Sequence, residues 1–159
     1  MNVRTGLGQD SHRFEPEGSA KPLLIGGLRF EGCPGLQGNS DADVLLHALV
    51  NALSGVHGVP VLGAVTDRLF REGVTDSAAY VREALRHLGP ARISHVSASL
   101  ECSRPRIAPR QQDLRASLAG ILGLAERDVV VTAHSGEGLT AFGRGEGVSA
   151  TVLVTAVEA

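Results

Sequence analysis

Two amphipathic helical stretches alternate along this chain with strand-length apolar runs, and that alternation leaves few folds open. Ser77 to Leu88 carries Ala78, Val81, Ala84, Leu85 and Leu88 on one stripe, with Arg82, Glu83 and Arg86 off it. Gly89-Pro90 closes that helix; Leu114 to Leu124 is a second, stopped near Gly123. Around them, Ile93 to Cys102 alternates as a strand, Val129-Val130-Val131 reads as a buried strand, and Val148 to Val157 is the last. Earlier, Asn2 to Phe14 opens extended and Leu23 to Phe30 reads as a strand pair around Gly26-Gly27. Val44 to Gly55 reads as a helix with Leu45, Leu49 and Leu53 inward. The order β, β, α, α, β, α, β, β predicts an α/β (α+β) sandwich: a mixed four- to five-stranded sheet with helices on one face. From Val56 to Thr75, Gly58, Pro60, Gly63 and Gly73 interrupt every period, which predicts a loop with one short helical turn.

Composition narrows the function classes. With 159 residues, 43% hydrophobic and 20% charged, residues 1–159 are expected to form a single soluble domain. Only four Phe and one Tyr are present, so the core must be built from Val, Leu, Ile and Ala. A formal net charge of -2 gives no reason to expect nucleic acid or an acidic membrane as partner. Cys33 and Cys102 form no CxxC pattern, which argues against a disulfide framework or a zinc ribbon. No cationic-then-apolar leader and no membrane-length run is visible, so a cytoplasmic setting is expected.

The chemistry concentrates in Asn39-Ser40-Asp41-Ala42-Asp43-Val44-Leu45-Leu46-His47. Ser40 followed three residues later by Asp43, ahead of an apolar run, predicts a capping-box helix start with Ser40 accepting from the first-turn amides. Such a start also offers amides to a phosphate. His47 then lies one turn beyond Asp43 on the same face. Upstream, Asp10 and His12 project from one face of an extended segment, a compact pair of metal ligands. Taken singly, the Asp-x-His pair is more often a polar surface turn, and His47 a packed histidine. A third ligand changes the balance: Asp10, His12 and His47 together would make a site with one position open. His57, His87 and His95 are read as ordinary residues.

Asp10-Ser11-His12, Ile25-Gly26-Gly27, the Ser40–Leu49 run and Gly143-Arg144-Gly145-Glu146-Gly147 resemble, in order and spacing, the 2-C-methyl-D-erythritol 2,4-cyclodiphosphate synthase family. The resemblance runs from about Val3 to Val157. It implies a homotrimer with active sites between neighbouring subunits and a small-molecule cytidine diphosphate ester as substrate. It implies Zn2+ on Asp10, His12 and His47, and a second divalent ion, Mg2+ or Mn2+, held by Glu137 with the substrate diphosphate. A second phosphate of the substrate would attack the nearer phosphorus, releasing CMP and leaving a cyclic diphosphate. Catalysis would rest on positioning and charge neutralisation.

The departures from the family pattern fall in the organic-recognition loops. Asn39-Ser40 stands where the family has His-Ser, keeping a hydrogen-bond donor but losing a cation. Gly63-Ala64-Val65-Thr66 replaces Gly-Asp-Ile-Gly, and Leu69-Phe70-Arg71-Glu72 lacks the family's Pro-Asp, which puts Ala64 and Thr66 at the hydroxyl-gripping loop. On the nucleotide side the resemblance places Cys102, Pro105, Arg106 and Ala108 at the cytidine loop, with His134-Ser135-Gly136-Glu137 facing the phosphates. Asn39 and Ser135 take the catalytic positions. Gln9 and Ala141 stand where aromatics line the trimer channel, and Arg144 is expected near the axis, as a ligand or as half of an ion pair with Glu146. Three functions fit: the cyclodiphosphate synthase itself, a paralogue for a different cytidylyl diphosphate, or a non-catalytic zinc-bearing nucleotide-binding trimer.

Overall fold

A computed structural model describes residues 1–159. Strand β1 (Asn2–Arg13) is followed by a small hairpin of β2 (Leu23–Ile25) and β3 (Leu28–Phe30). Three helices come next, α1 (Val44–His57), α2 (Ala64–Arg71) and α3 (Ser77–Leu85). Then come β4 (Arg92–Glu101), α4 (Gln111–Leu122), β5 (Val129–His134) and β6 (Gly147–Glu158). The main sheet has the order β1-β6-β4-β5. β6 runs antiparallel to both β1 and β4, whereas β4 and β5 are parallel, so the sheet is mixed as expected.

Alternation along the strands decides what is buried. On β6, Val148, Ala150, Val152, Val154 and Ala156 face the helices, and Val96, Ala98 and Leu100 of β4 join them. Leu45, Leu49 and Leu53 of α1 are fully buried against this face. The opposite face has no helix over it and exposes Val3, Leu7, Val130 and Leu153. β5 is therefore buried on one side only: Val129 and Val131 are inward, but Val130 is not. That corrects the reading of Val129-Val130-Val131 as a wholly buried run.

Helix α1 lies unusually close to β1. A Cβ at Gly6 would sit 1.9 Å from the Ala52 carbonyl oxygen, and one at Gly8 would sit 2.0 Å from that of Ala48. Glycine is required there for space, and the helix answers with Ala48, Ala52 and Gly55 on its contacting face. This small-on-small seam brings the first turn of α1 against the end of β1.

Several local expectations change. The Leu23–Phe30 strand pair forms as expected, as a hairpin outside the main sheet, so three strands precede the helices. The helix cap is Asp43 rather than Ser40: Ala42 takes a left-handed φ of 54°, which stops the helix before it, and Asp43 Oδ1 accepts from Leu46 N at 3.1 Å. The same carboxylate accepts from Gly26 N at 2.8 Å and Gly27 N at 2.7 Å, so it ties the hairpin to α1 and is fully buried. Burial pushes the Asp43 carboxyl up, and the three amides oppose that push.

Where a loop with one turn was expected, α2 makes two turns. Its glycines bracket the helix instead of breaking it: Gly63 precedes it and Gly73 follows. Thr66 Oγ1 accepts from Gly63 N at 3.0 Å and donates to Gly63 O at 3.1 Å, which satisfies the helix start. Val65 and Leu69, four residues apart, pack on the core. Helix α3 ends at Leu85, earlier than Gly89-Pro90 suggests, in a tightened turn with Leu88 N on Leu85 O at 3.2 Å. Its buried stripe includes Tyr80, whose hydroxyl donates to Val74 O at 2.7 Å.

Candidate functional site

Period two along β1 puts Asp10 and His12 on the helix-facing side, and the glycine seam delivers His47 from the first turn of α1 to meet them. His12 Nε2 lies 2.8 Å from Asp10 Oδ2, His47 Nδ1 lies 3.1 Å from the same oxygen, and the two ring nitrogens are 3.2 Å apart. Two imidazole nitrogens and one carboxylate oxygen thus converge on one point. Burial alone would raise the Asp10 carboxyl, but hydrogen bonds and charge from His12 and His47 bring it down to about 2. It is a carboxylate at any physiological pH. Two imidazoles and a carboxylate converging on a common centre are a donor set that suits a divalent cation with a further open position. The expected triad is assembled within one chain.

The ring of His47 is held from behind. Its Nε2 lies 2.9 Å from Ser77 Oγ and 3.3 Å from Ser40 Oγ. Ser77, fully buried at the start of α3, donates its hydroxyl to Asp41 Oδ1 and its backbone N–H to Asp41 Oδ2 at 3.0 Å. Asp41 Oδ1 also accepts from Asp43 N at 3.1 Å. The two acidic residues of the α1 start are therefore both engaged by protein donors, and neither is free for a ligand.

In front of His12 and His47 opens a pocket of about 130 Å³ that includes the expected Asn39, Ser40 and Thr66. The Thr66 hydroxyl is already engaged by Gly63, and Ala64 does not line the pocket. Asp67, Phe70 and Tyr80 do, and none of these was anticipated. Asp67 comes from the first turn of α2, and its carboxylate makes no hydrogen bond or ion pair with the protein.

A second pocket, of about 390 Å³, gathers Cys102, Pro105, Arg106, Ala108, His134 and Ser135. All six belong to the expected nucleotide side, and Gln111 completes the wall by donating to Val131 O at 2.5 Å. Burial pushes the Cys102 thiol up to about 11, so it is a neutral wall and not a nucleophile. Beyond it, Ser135 Oγ accepts from Glu137 N at 3.2 Å, and Glu137 is exposed with a left-handed φ of 51°. Arg144 Nε lies 3.1 Å from Glu146 Oε1, while Arg13 Nη1 lies 3.2 Å from Oε2, so Arg144 stands in an ion pair at the surface. Glu101, unremarked in the sequence, accepts from the Thr140 hydroxyl and anchors this loop.

The two pockets occupy opposite edges of the sheet. Ser11, Ser149, Glu101 and His134 form one row across β1, β6, β4 and β5. Three strand spacings separate the ends, about 14 Å. Glu137, beyond the far end of that row, is not among the residues converging with Asp10, His12 and His47.

Comparison with known proteins finds relatives over nearly the whole chain. The YgbB family model covers residues 3–157. The 2-C-methyl-D-erythritol 2,4-cyclodiphosphate synthase of Chlamydia felis is 46% identical over 157 residues, which span 98% of this chain and 89% of that protein. The crystal structure of the Plasmodium vivax synthase superimposes with a TM-score of 0.82 at 26% identity, covering 99% of each chain. A structure of 2-C-methyl-D-erythritol 2,4-cyclodiphosphate synthase in its CDP-bound form superimposes with a TM-score of 0.82 at 31% identity, covering 97% of this chain and 100% of that one.

Proposed function

The chain belongs to the YgbB family, and from that premise we propose that it closes the eight-membered ring of 2-C-methyl-D-erythritol 2,4-cyclodiphosphate. In this reaction an oxygen of the 2-phosphate attacks the nearer phosphorus of a cytidine diphosphate ester. The phosphorus–oxygen bond to CMP breaks and CMP departs with the electron pair, which makes the enzyme a phosphorus–oxygen lyase. The observation that carries this reading is the convergence of Asp10, His12 and His47 as one partly buried cluster.

In this reading Asp10, His12 and His47 hold Zn2+, and Glu137 holds a second divalent ion, Mg2+ or Mn2+, together with the diphosphate. Such cations would supply charge neutralisation for phosphate groups that otherwise repel each other. Asn39 and Ser40 offer hydrogen bonds to the phosphates from the metal pocket. Ser135 and Arg106 do so from the nucleotide pocket, whose walls at Cys102, Pro105 and Ala108 receive the base. His134 adds a second polar group there. Asp67 takes over the hydroxyl-gripping role that the altered Gly63–Thr66 stretch leaves vacant, because it is the one carboxylate facing the metal pocket that no protein group engages.

The separation of about 14 Å between the two edges within one chain supports a site shared between copies, and the family resemblance makes that assembly a homotrimer. Each complete site would pair the Asp10 edge of one protomer with the Glu137 edge of the next. The uncovered sheet face bearing Leu7, Val130 and Leu153 is where copies would meet. Arg144 and Glu146 would then lie near the axis. Residues 1–159 would act as one catalytic domain, and charged, water-soluble phosphates as substrate suit a cytoplasmic setting.

The test is CMP release from 4-diphosphocytidyl-2-C-methylerythritol 2-phosphate with zinc and magnesium, with His47→Ala as control. Turnover in the wild type and a loss of roughly a thousandfold in the control are expected. No turnover in a zinc-loaded trimer would overturn the assignment and point to another cytidylyl substrate.

A further inference from the structure

We propose that Asp41 and Ser77 act as a positioning pair that fixes which nitrogen of His47 carries the proton, keeping Nδ1 free for the metal. The inference rests on the metal-binding part of the function proposed above, not on the substrate.

The argument is one of hydrogen-bond direction. An ionised carboxylate can only accept, so the single hydroxyl proton of Ser77 is committed to Asp41 Oδ1. Asp41 cannot turn away, since Ser77 N and Asp43 N hold its two oxygens at 3.0 and 3.1 Å. With its proton spent, Ser77 Oγ faces His47 Nε2 at 2.9 Å as an acceptor only. Nε2 must therefore carry the N–H, and in the neutral ring Nδ1 then presents a lone pair to Asp10 and His12.

Without this pair the opposite tautomer would be favoured. Asp10 Oδ2 sits 3.1 Å from His47 Nδ1, a distance that invites a proton onto that nitrogen. A proton there would occupy the lone pair the metal requires. Ser40 cannot impose the choice: its hydroxyl already accepts from Ala42 N at 3.1 Å, lies farther from Nε2 at 3.3 Å, and keeps a proton free to donate. Ser77 is also fully buried, so no water competes for its oxygen. Its own helix does not need it as a cap, because Asp76 accepts from Ala78 N at 2.9 Å in that role. The hydroxyl of Ser77 has no other partner than Asp41 and His47.

Two measurements on the full chain test the proposal. Long-range proton–nitrogen correlation on metal-free protein labelled at histidine nitrogen, at pH 8, should show His47 protonated at Nε2 and bare at Nδ1. A proton on Nδ1 in the wild type would overturn the proposal, whatever any variant does. Zinc affinity by chelator competition should fall about 10- to 100-fold in Ser77→Ala, with His47 shifting toward the Nδ1–H form and CDP affinity unchanged. Wild-type zinc affinity and an unshifted tautomer in a folded Ser77→Ala protein would equally overturn it. Neither readout uses turnover. An inactive wild type with the expected tautomer and zinc response would defeat the substrate assignment and leave this inference standing.

Discussion

The proposed metal pocket and the proposed nucleotide pocket are built from the same sheet on different terms. At the β1 edge the side chains satisfy one another: Asp41 holds Ser77, Ser77 holds His47, and His47 meets Asp10 and His12. At the β5 edge the side chains of Arg106 and His134 make no hydrogen bond within the chain, and the pocket is walled by Cys102, Pro105 and Ala108. An ion demands donors placed to a few tenths of an ångström before it arrives. A nucleotide brings its own shape and charges, and needs a wall with a few polar groups. The first edge is preorganised, and the second is receptive.

If that contrast is right, damage at the two edges should differ in kind. Gly8→Ala forces a Cβ to 2.0 Å from a helix carbonyl beside the metal ligands. It should cost about 3 kcal/mol of stability, read by urea unfolding, and release zinc from whatever folds. Acid attacks the same edge through Asp10. Its folded pKa of about 2 lies below the ordinary 3.8, so its ionised form stabilises the fold above about pH 4. That contribution, on the order of 2 kcal/mol, is lost as pH falls from about 4 toward 2. Metal-free wild type should show this extra acid limb in urea titrations, and Asp10→Asn should flatten it.

At the receptive edge the effects should be smaller and confined to the ligand. Arg106→Ala should weaken CDP binding about tenfold by calorimetry, with zinc affinity and melting temperature unchanged. A coupled loss of zinc would erase the distinction between the edges. Finally, mixing His47→Ala with Glu137→Gln chains should restore about a quarter of wild-type sites, since each mixed trimer regains one intact pairing of the two edges. No recovery on mixing would confine each site to a single protomer.

What the sequence disclosed follows the range of the interactions involved. Asp10 and His12 were legible because strand alternation alone sets their shared face, and His47 because one helical turn sets its position. Cys102, Pro105, Arg106, Ala108, His134 and Ser135 were grouped by the family resemblance, and they line one pocket. Asp43 was visible as an acid at a helix start, but its actual partners, the amides of Gly26 and Gly27, reach it only through tertiary folding. Ser77 was hidden for the same reason: thirty residues separate it from His47, and only the docking of α3 on α1 joins them. Helix α2 was missed because glycine frequency reads as interruption, although glycine at a helix boundary marks an end as readily as a break. With α2 went Asp67, which that helix turns into the pocket.

The glycine seam has a practical corollary for anyone hoping to move this metal site elsewhere. Asp10, His12 and His47 are the visible part of the motif, yet their spacing is dictated by backbone touching backbone where Gly6 and Gly8 carry no side chain. Grafting the three ligands onto another strand and helix would reproduce their identities and miss their distances. The transferable unit is the five-residue set with its glycines, and a designed host lacking them would hold the helix too far away for one ion to bridge.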